Sequence, residues 1–121
     1  METKKTLVLG ATTDPGRYAY LASNRLAGKG HPIINVGIKA GEVAGVPIEK
    51  PGTIHQDVHT LTLYIGAQNQ PDLYDYILQT HPKRIIFNPG AENPELEHLA
   101  NEQGIETLEA CTLIMLATGQ Y

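Results

Sequence analysis

The chain of 121 residues has no tryptophan, one phenylalanine and a single cysteine, Cys111. A lone cysteine excludes a disulfide within the chain and fits a reducing compartment. The first residues contain no apolar signal region, and no apolar run approaches the length of a membrane span. We therefore expect a single cytoplasmic domain over residues 1–121, with a core built mainly of aliphatic side chains.

Positive charge is also scarce. The formal net charge is -4, and no lysine or arginine follows Arg84, whereas several glutamates do. A general nucleic-acid-binding surface needs a basic footprint, so we expect no nucleic-acid partner, and we expect no membrane partner either. The glutamates are interpreted as the solvated face of a helix.

Four short apolar runs each end on a glycine. They are Thr6–Gly10, Pro32–Gly37, Leu61–Gly66 and Arg84–Gly90. Runs of this kind, separated by segments of helical length, are typical of strands buried on both faces of a parallel sheet. Glycine at the end of such a strand permits a sharp turn and the close approach of a ligand. A fifth strand is predicted over residues 105–110.

Three helices are predicted to begin where a polar residue precedes a proline, at Asp14, Gln70 and Asn93. The expected spans are 15–29, 72–80 and 94–103, followed by a short helix or turn over 112–118. The segment 39–57 is rich in proline and glycine, and we expect mostly loop with a brief strand at 46–48.

This alternation of strands and helices predicts an α/β fold. We expect a doubly wound, mainly parallel, five-stranded sheet of the Rossmann-like kind, in three α/β/α layers. Ligands bind such sheets at the carboxyl ends of the strands, beside the point where the strand order reverses. The four glycines are therefore predicted to lie at the ligand-binding edge.

The loop from Gly10 to Arg17 opens directly into the first predicted helix. Exposed N–H groups and the positive end of the helix dipole would form a seat for a phosphate or pyrophosphate. The hydroxyls of Thr12 and Thr13 and the guanidinium of Arg17 could add donors, while Asp14 caps the helix. The loop does not match G-x-G-x-x-G, so the standard dinucleotide fingerprint is absent.

The second strand also differs from that of an NAD-binding protein. Lys39 follows it, and the acidic residue that binds the ribose hydroxyls of NAD is missing. A lysine at this place favours a nucleotide with an additional phosphate on its ribose. NADP and coenzyme A both meet that description.

Three segments together resemble the small stand-alone CoA-binding domain proteins, which are similar to the nucleotide-binding domain of the succinyl-CoA synthetase α subunit. The segments are Leu9–Tyr18, the second strand through Lys39 and on to Pro47, and Asn88–Pro94. The phosphohistidine partner domain of the synthetase is missing, so ligase activity is not carried over.

The resemblance implies that coenzyme A or an acyl-CoA lies across the edge of the sheet. It puts the pyrophosphate at the first loop, the adenosine phosphate end near Lys39, and the pantetheine arm beside the loops after the strands that end at Gly66 and Gly90. The cofactor-binding residues implied are Gly10, Ala11, Thr12, Thr13, Arg17, Tyr18, Gly37, Ile38, Lys39, Tyr64, Ile65, Gly66, Asn88, Pro89, Gly90 and Ala91.

Other candidate chemistry is weaker. His55 and His59 lie in or just after a loop with no further ligand implied, so we interpret them as surface histidines and predict no metal site. His31 and His81 fall on the opposite edge of the sheet. Cys111 is interpreted as a small buried hydrophobe, with a cofactor-facing or redox-active thiol as the alternative.

We therefore predict a CoA-binding module with no catalytic residues of its own. One alternative is an NADP-binding oxidoreductase or a nucleotide-sensing regulatory protein that uses the same groove. Another is an interaction subunit whose groove stays empty and whose acidic surface binds a partner. A homodimer or a partner enzyme is compatible with each of these.

Overall fold

The structure, a computed structural model, describes residues 2–121 and shows an α/β fold built on a mostly parallel sheet of seven strands. The strands are β1 (Thr6–Leu9), β2 (Ile33–Val36), β3 (Glu42–Val43), β4 (Val46–Glu49), β5 (Thr60–Leu63), β6 (Arg84–Phe87) and β7 (Glu106–Glu109). The α-helices are α1 (Tyr18–Gly28), α2 (Tyr74–Thr80), α3 (Pro94–Glu102) and α4 (Thr112–Ala117). Two short 3₁₀ turns, Ala67–Asn69 and Pro71–Leu73, precede α2.

The strand order is β3-β4-β2-β1-β5-β6-β7, and only the pairing of β3 with β4 is antiparallel. From β1 the chain first builds the sheet outward through β2 and then returns to build the other half from β5, so the order reverses between β1 and β5. Leu9 lies in register with Val36 on one side and Leu63 on the other, and Leu63 with Phe87. The carboxyl ends of these four strands therefore form one level edge.

Helices cover both faces of the sheet. Leu7, Leu61 and Ile85 lie in one buried cluster with Ile77 of α2 and Leu96 of α3. Alternate strand residues point to opposite faces, and accordingly Val8 packs in a second cluster with Leu26 of α1 and Leu116 of α4. The result is three layers, with the sheet in the middle.

The prediction of five strands is wrong because the segment 39–57 contains a β-hairpin. Ala44 and Gly45 both have positive φ at its turn, and the side chain of buried Asn35 donates to the carbonyl oxygens of Val43 and Val46, each at 3.1 Å. Positive φ at both central residues is normally supplied by Asn-Gly or Asp-Gly. The Ala-Gly pair lacks that signature. The sequence therefore indicates the brief strand at 46–48, which is confirmed as β4, but not its hairpin partner β3.

The three predicted helix starts have different outcomes. Asn93 is confirmed as a cap, since its side-chain oxygen accepts from the N–H groups of Glu95 and Leu96. Asp14 is not the cap of α1, because its carboxylate accepts from the N–H of Gly16 and the helix begins only at Tyr18. Gln70 occupies the N-cap position of the 3₁₀ turn that begins at Pro71, but its fully buried side chain makes no capping hydrogen bond.

Within residues 2–121, no helix combines the length and the hydropathy that a membrane crossing requires.

Candidate functional site

A cavity of about 400 Å³ opens at the carboxyl edge of the sheet, where the strand order reverses. Four segments line it: the turn after β1, the start of α1, the loop after β5 and the loop after β6. The lining residues that the sequence predicted are Gly10, Arg17, Tyr18, Tyr64, Ile65, Gly66, Pro89, Gly90 and Ala91; Gly16 and Ala19 line it as well. The cavity thus lies where parallel sheets bind their ligands.

The amino end of α1 forms one wall of this cavity. The first N–H groups of an α-helix have no partner within the helix, and the helix dipole favours an anion beside them. The Arg17 guanidinium lies just before the helix and forms an exposed ion pair with Asp14, at 3.7 Å. Such a pair is weak, so Arg17 is free to turn towards an anion at the helix end.

The first two N–H groups of the predicted phosphate seat are not exposed. Gly10 and Ala11 both donate to the carbonyl oxygen of Val36, at 2.9 Å each. These two amides are therefore not available to a ligand. Thr12 uses its side-chain oxygen to accept from the N–H of Asp14, at 3.1 Å, and so shapes the loop. The first N–H groups of α1, at the far end of the same loop, have no partner within the helix.

The loop after β2 lies along the rim outside the cavity. A Cβ at Gly37 would overlap the carbonyl oxygen of Ala11, and a Cβ at Gly41 would overlap the methyl group of Thr13. Glycine is therefore needed at position 37 for the contact between the two loops, although the sequence predicted it for ligand approach. At Gly41 the overlapping atom is the end of an exposed side chain, which can move. Beyond Gly37, Ile38 is 82% exposed and Lys39 is also exposed.

Asn88 does not line the cavity. Its buried side chain donates to the Thr62 hydroxyl at 2.8 Å and to the Leu63 carbonyl at 3.0 Å, and it accepts from the N–H of Thr112 at 2.9 Å. All of its polar groups are used inside the protein, where they attach the end of β6 to β5 and to the start of α4. Asn88 therefore supports the loop that carries Pro89 and Gly90.

Tyr64 lines the cavity, but its hydroxyl is buried and has no hydrogen-bond partner among the described residues. Burial raises the pKa of this phenol to about 12, so it is neutral at pH 7. Cys111 is partly buried and lies close enough to this phenol to affect its pKa, but it does not line the cavity.

The side chain of Gln70 joins two walls of the cavity. Its nitrogen donates to the carbonyl oxygens of Ile65 at 2.8 Å and Ala91 at 2.9 Å, and its oxygen accepts from the side chain of Asn93 at 2.8 Å. The sequence analysis considered Gln70 only as a weak helix cap. No local signal identifies this role, because both carbonyl partners belong to strand-ending loops and one of them is 21 residues away.

The histidines lie apart from the cavity. His55 pairs with Glu49 at 2.9 Å, and His59 lies 2.7 Å from the Thr60 hydroxyl. Burial and neighbouring cations lower the pKa of His31 and of His59. Among residues 2–121, no three His, Cys, Asp or Glu side chains are grouped so that they could hold a metal ion.

The fold has close structural relatives. A crystal structure of an uncharacterized protein is 52% identical and matches with a TM-score of 0.97 over 100% of both chains. Cell-free ID.343 from Thermus thermophilus is 22% identical, with a TM-score of 0.81 over 98% of this chain and 91% of that one. A hypothetical protein from Pyrococcus horikoshii OT3 is 21% identical, with a TM-score of 0.83 over 96% and 82%. The last two show a shared fold alone.

The sequence gives a more specific match. No curated protein matches the chain, but residues 4–117 match the family described as the CoA binding domain. This match covers nearly the whole chain and includes every segment that lines the cavity. The chain therefore belongs to the CoA binding domain family.

Proposed function

We propose that the protein binds coenzyme A or an acyl-CoA at the carboxyl edge of its sheet, in the manner of a Rossmann-like nucleotide-binding domain, and catalyses no reaction by itself. The observation that carries the proposal is the position of the cavity. It lies between the amino end of α1 and the loops after β5 and β6, at the point where the strand order reverses. Membership of the family supports a CoA-related ligand.

The ligand would cross the edge in an extended form. Its pyrophosphate would lie against the first N–H groups of α1, with Arg17 as the neighbouring cation. From there the adenosine end would follow the rim towards the exposed side chains of Ile38 and Lys39. An exposed apolar side chain suits the face of a base, and a lysine suits the phosphate on the ribose.

The pantetheine arm would occupy the other end of the cavity, along the loops that contain Ile65 and Ala91. These walls are formed by small, apolar and backbone groups, which suit a flexible arm without charge. In this arrangement the thiol end points away from the cations of the rim.

The lining of the cavity supports a binding role without catalysis. Among the described residues that line it, Arg17 is the only one with a charged side chain, and none is a carboxylate or a histidine. General acid–base or nucleophilic catalysis needs a titratable group, or a nucleophile and its base, within reach of the ligand. Two phenols line the cavity, but Tyr18 is 73% exposed and has no carboxylate or histidine beside it in this lining, while burial raises the pKa of Tyr64 to about 12 and encloses its hydroxyl.

Isothermal titration with coenzyme A, dephospho-CoA, NAD and NADP tests the proposal. We expect coenzyme A to bind more tightly than dephospho-CoA, and NAD to bind weakly. In Lys39→Ala the preference for coenzyme A over dephospho-CoA should fall by about tenfold, which is about 1.4 kcal/mol, near the low end for one charge-assisted contact on an exposed rim. Lys83→Ala, at the exposed amino edge of the sheet, is the matched control and should keep the preference.

A clear response to NADP with none to millimolar coenzyme A would refute the proposal and favour an NADP-dependent protein, since Lys39 also suits the ribose phosphate of NADP. If Lys39→Ala keeps the preference for coenzyme A over dephospho-CoA, this lysine does not contact the ribose phosphate of the ligand. No response to any of the four nucleotides would favour an interaction subunit with an empty groove.

A further inference from the structure

Gln70 is the most completely buried large polar side chain that contacts the cavity walls. Its exposed fraction is 0%, and each polar group of its amide has a partner. Its two N–H bonds point to the carbonyl oxygens of Ile65 and Ala91, which can only accept, so the orientation of the amide is fixed by its partners.

The two carbonyl groups belong to different loops that lie side by side in the wall of the cavity. Ile65 follows β5, Ala91 follows β6, and both residues line the cavity. The side-chain nitrogen of Gln70 donates to both carbonyl oxygens, at 2.8 and 2.9 Å, and so keeps these two backbones at a fixed separation. A hydrogen bond from backbone to backbone does not replace it, since no such bond between residues 65 and 91 occurs in the described chain.

The amide is itself held by α3. Asn93 donates to the Gln70 oxygen at 2.8 Å and to the Tyr74 hydroxyl at 2.8 Å, while its own oxygen caps the helix. Every hydrogen-bonding group of the two amides is therefore used. A buried polar network of this kind is rigid when complete, and the loss of one member destabilises the folded state because its partners are left buried without hydrogen bonds.

We infer that Gln70 is a positioning residue that shapes the wall along which the pantetheine arm would lie, by fixing the loops of Ile65 and Ala91 relative to each other. This inference rests on the proposed function. Gln70 does not contact the adenosine end, which would lie beyond α1 at the loop of Lys39. The loss of Gln70 should therefore weaken ligands that carry the pantetheine arm and spare those that lack it.

Gln70→Glu tests this, because the carboxylate keeps the size of the side chain but has no N–H groups to donate to the two carbonyls. The affinities of the wild type and of the variant are measured for coenzyme A and for adenosine 3′,5′-bisphosphate, which has the adenosine end but no arm. We expect at least a tenfold loss for coenzyme A and less than a twofold change for the bisphosphate. Gln79→Glu, an exposed position on α2, is the matched control and should change neither.

Circular dichroism establishes that each variant is folded. If Gln70→Glu is unfolded, the same comparison is made with Gln70→Met, which removes the donors without burying a charge, and the same criterion applies. An equal loss for both ligands would show a general effect on the fold and would overturn the inference. Unchanged affinity for coenzyme A in a folded variant would also overturn it, without affecting the proposed function, whereas a wild type that does not bind coenzyme A would overturn both.

Discussion

Gly37→Ala should strongly destabilise the folded protein even though it adds a single methyl group. A Cβ at this position would overlap the carbonyl oxygen of Ala11 and lie 3.3 Å from the side chain of Ile48, so the first loop has to move. Forcing extra volume into a packed site costs about 1–3 kcal/mol. With an unfolding entropy of roughly 2.1 cal/mol/K per residue, a protein of this length loses about 4 °C of Tm for each kcal/mol.

Gly28→Ala provides the control within the same protein. Gly28 is the last residue of α1, and a Cβ there meets nothing within 4 Å. Alanine is a better helix former than glycine, so this change should stabilise the protein by about 0.5 kcal/mol. Urea unfolding of both variants gives the two free energies, and titration with coenzyme A reports on the first loop.

The expected result is a Gly37→Ala variant with a Tm about 4–12 °C lower and with weaker binding of coenzyme A, since moving Ala11 also moves the turn at Gly10. A Gly37→Ala variant within about 0.5 kcal/mol of the wild type would refute the argument. It would show that the loops of Ala11 and Gly37 separate easily and that glycine is not required for their contact.

Three further predictions concern buried polar groups. Tyr76→Phe should raise the free energy of unfolding, measured by urea denaturation, by about 1 kcal/mol, because the Tyr76 hydroxyl is buried with no partner among the described residues. A lower free energy of unfolding in the variant would imply that this hydroxyl makes a hydrogen bond. Asn93→Ala should lower it by about 1–2 kcal/mol or more, since it removes both a helix cap and the partner of Gln70, and an unchanged value would contradict that role. The folded state lowers the pKa of His31 and His59, so the unfolded state binds more protons and stability should fall as the pH drops through 6.5. Urea unfolding at several pH values should show that the free energy of unfolding falls with pH in the wild type, and falls less steeply after both histidines are changed to Gln. An equal pH dependence in the two proteins would contradict the prediction.

The sequence allowed the strands to be predicted because they depend on local patterns. Short apolar runs that end on glycine identify buried parallel strands, and β1, β2, β5 and β6 follow them. The cap at Asn93 also depends on neighbouring residues only, and it was predicted for the right reason. The family was recognisable from the order of several loops, which the match over residues 4–117 confirms.

The errors come from contacts between residues that are distant in the sequence. The hairpin after β2 is held by Asn35, whose side chain reaches carbonyls 8 and 11 residues away, and its turn lacks the usual residues. The amides of Gly10 and Ala11 are occupied because β2 presents the carbonyl of Val36 to them. A pattern of residue types along the chain contains neither fact.

The two sides of the cavity are fixed by different physical means. Towards β2, the loops are held by close packing at Gly37, where any larger residue would overlap the backbone of Ala11. Towards β6, they are held by the amide of Gln70, which any residue without two donors would fail to replace.

Because both sides are fixed by internal contacts, binding of the proposed ligand at this edge would cost little free energy for ordering the loops. Few charged side chains are then needed for recognition, and at this edge Arg17 and Lys39 are the two that would meet phosphates. The remaining contacts to the ligand would come from the N–H groups at the end of α1 and from backbone and apolar groups. Such surfaces leave no single motif in a sequence, so the ligand had to be inferred from the order of several loops.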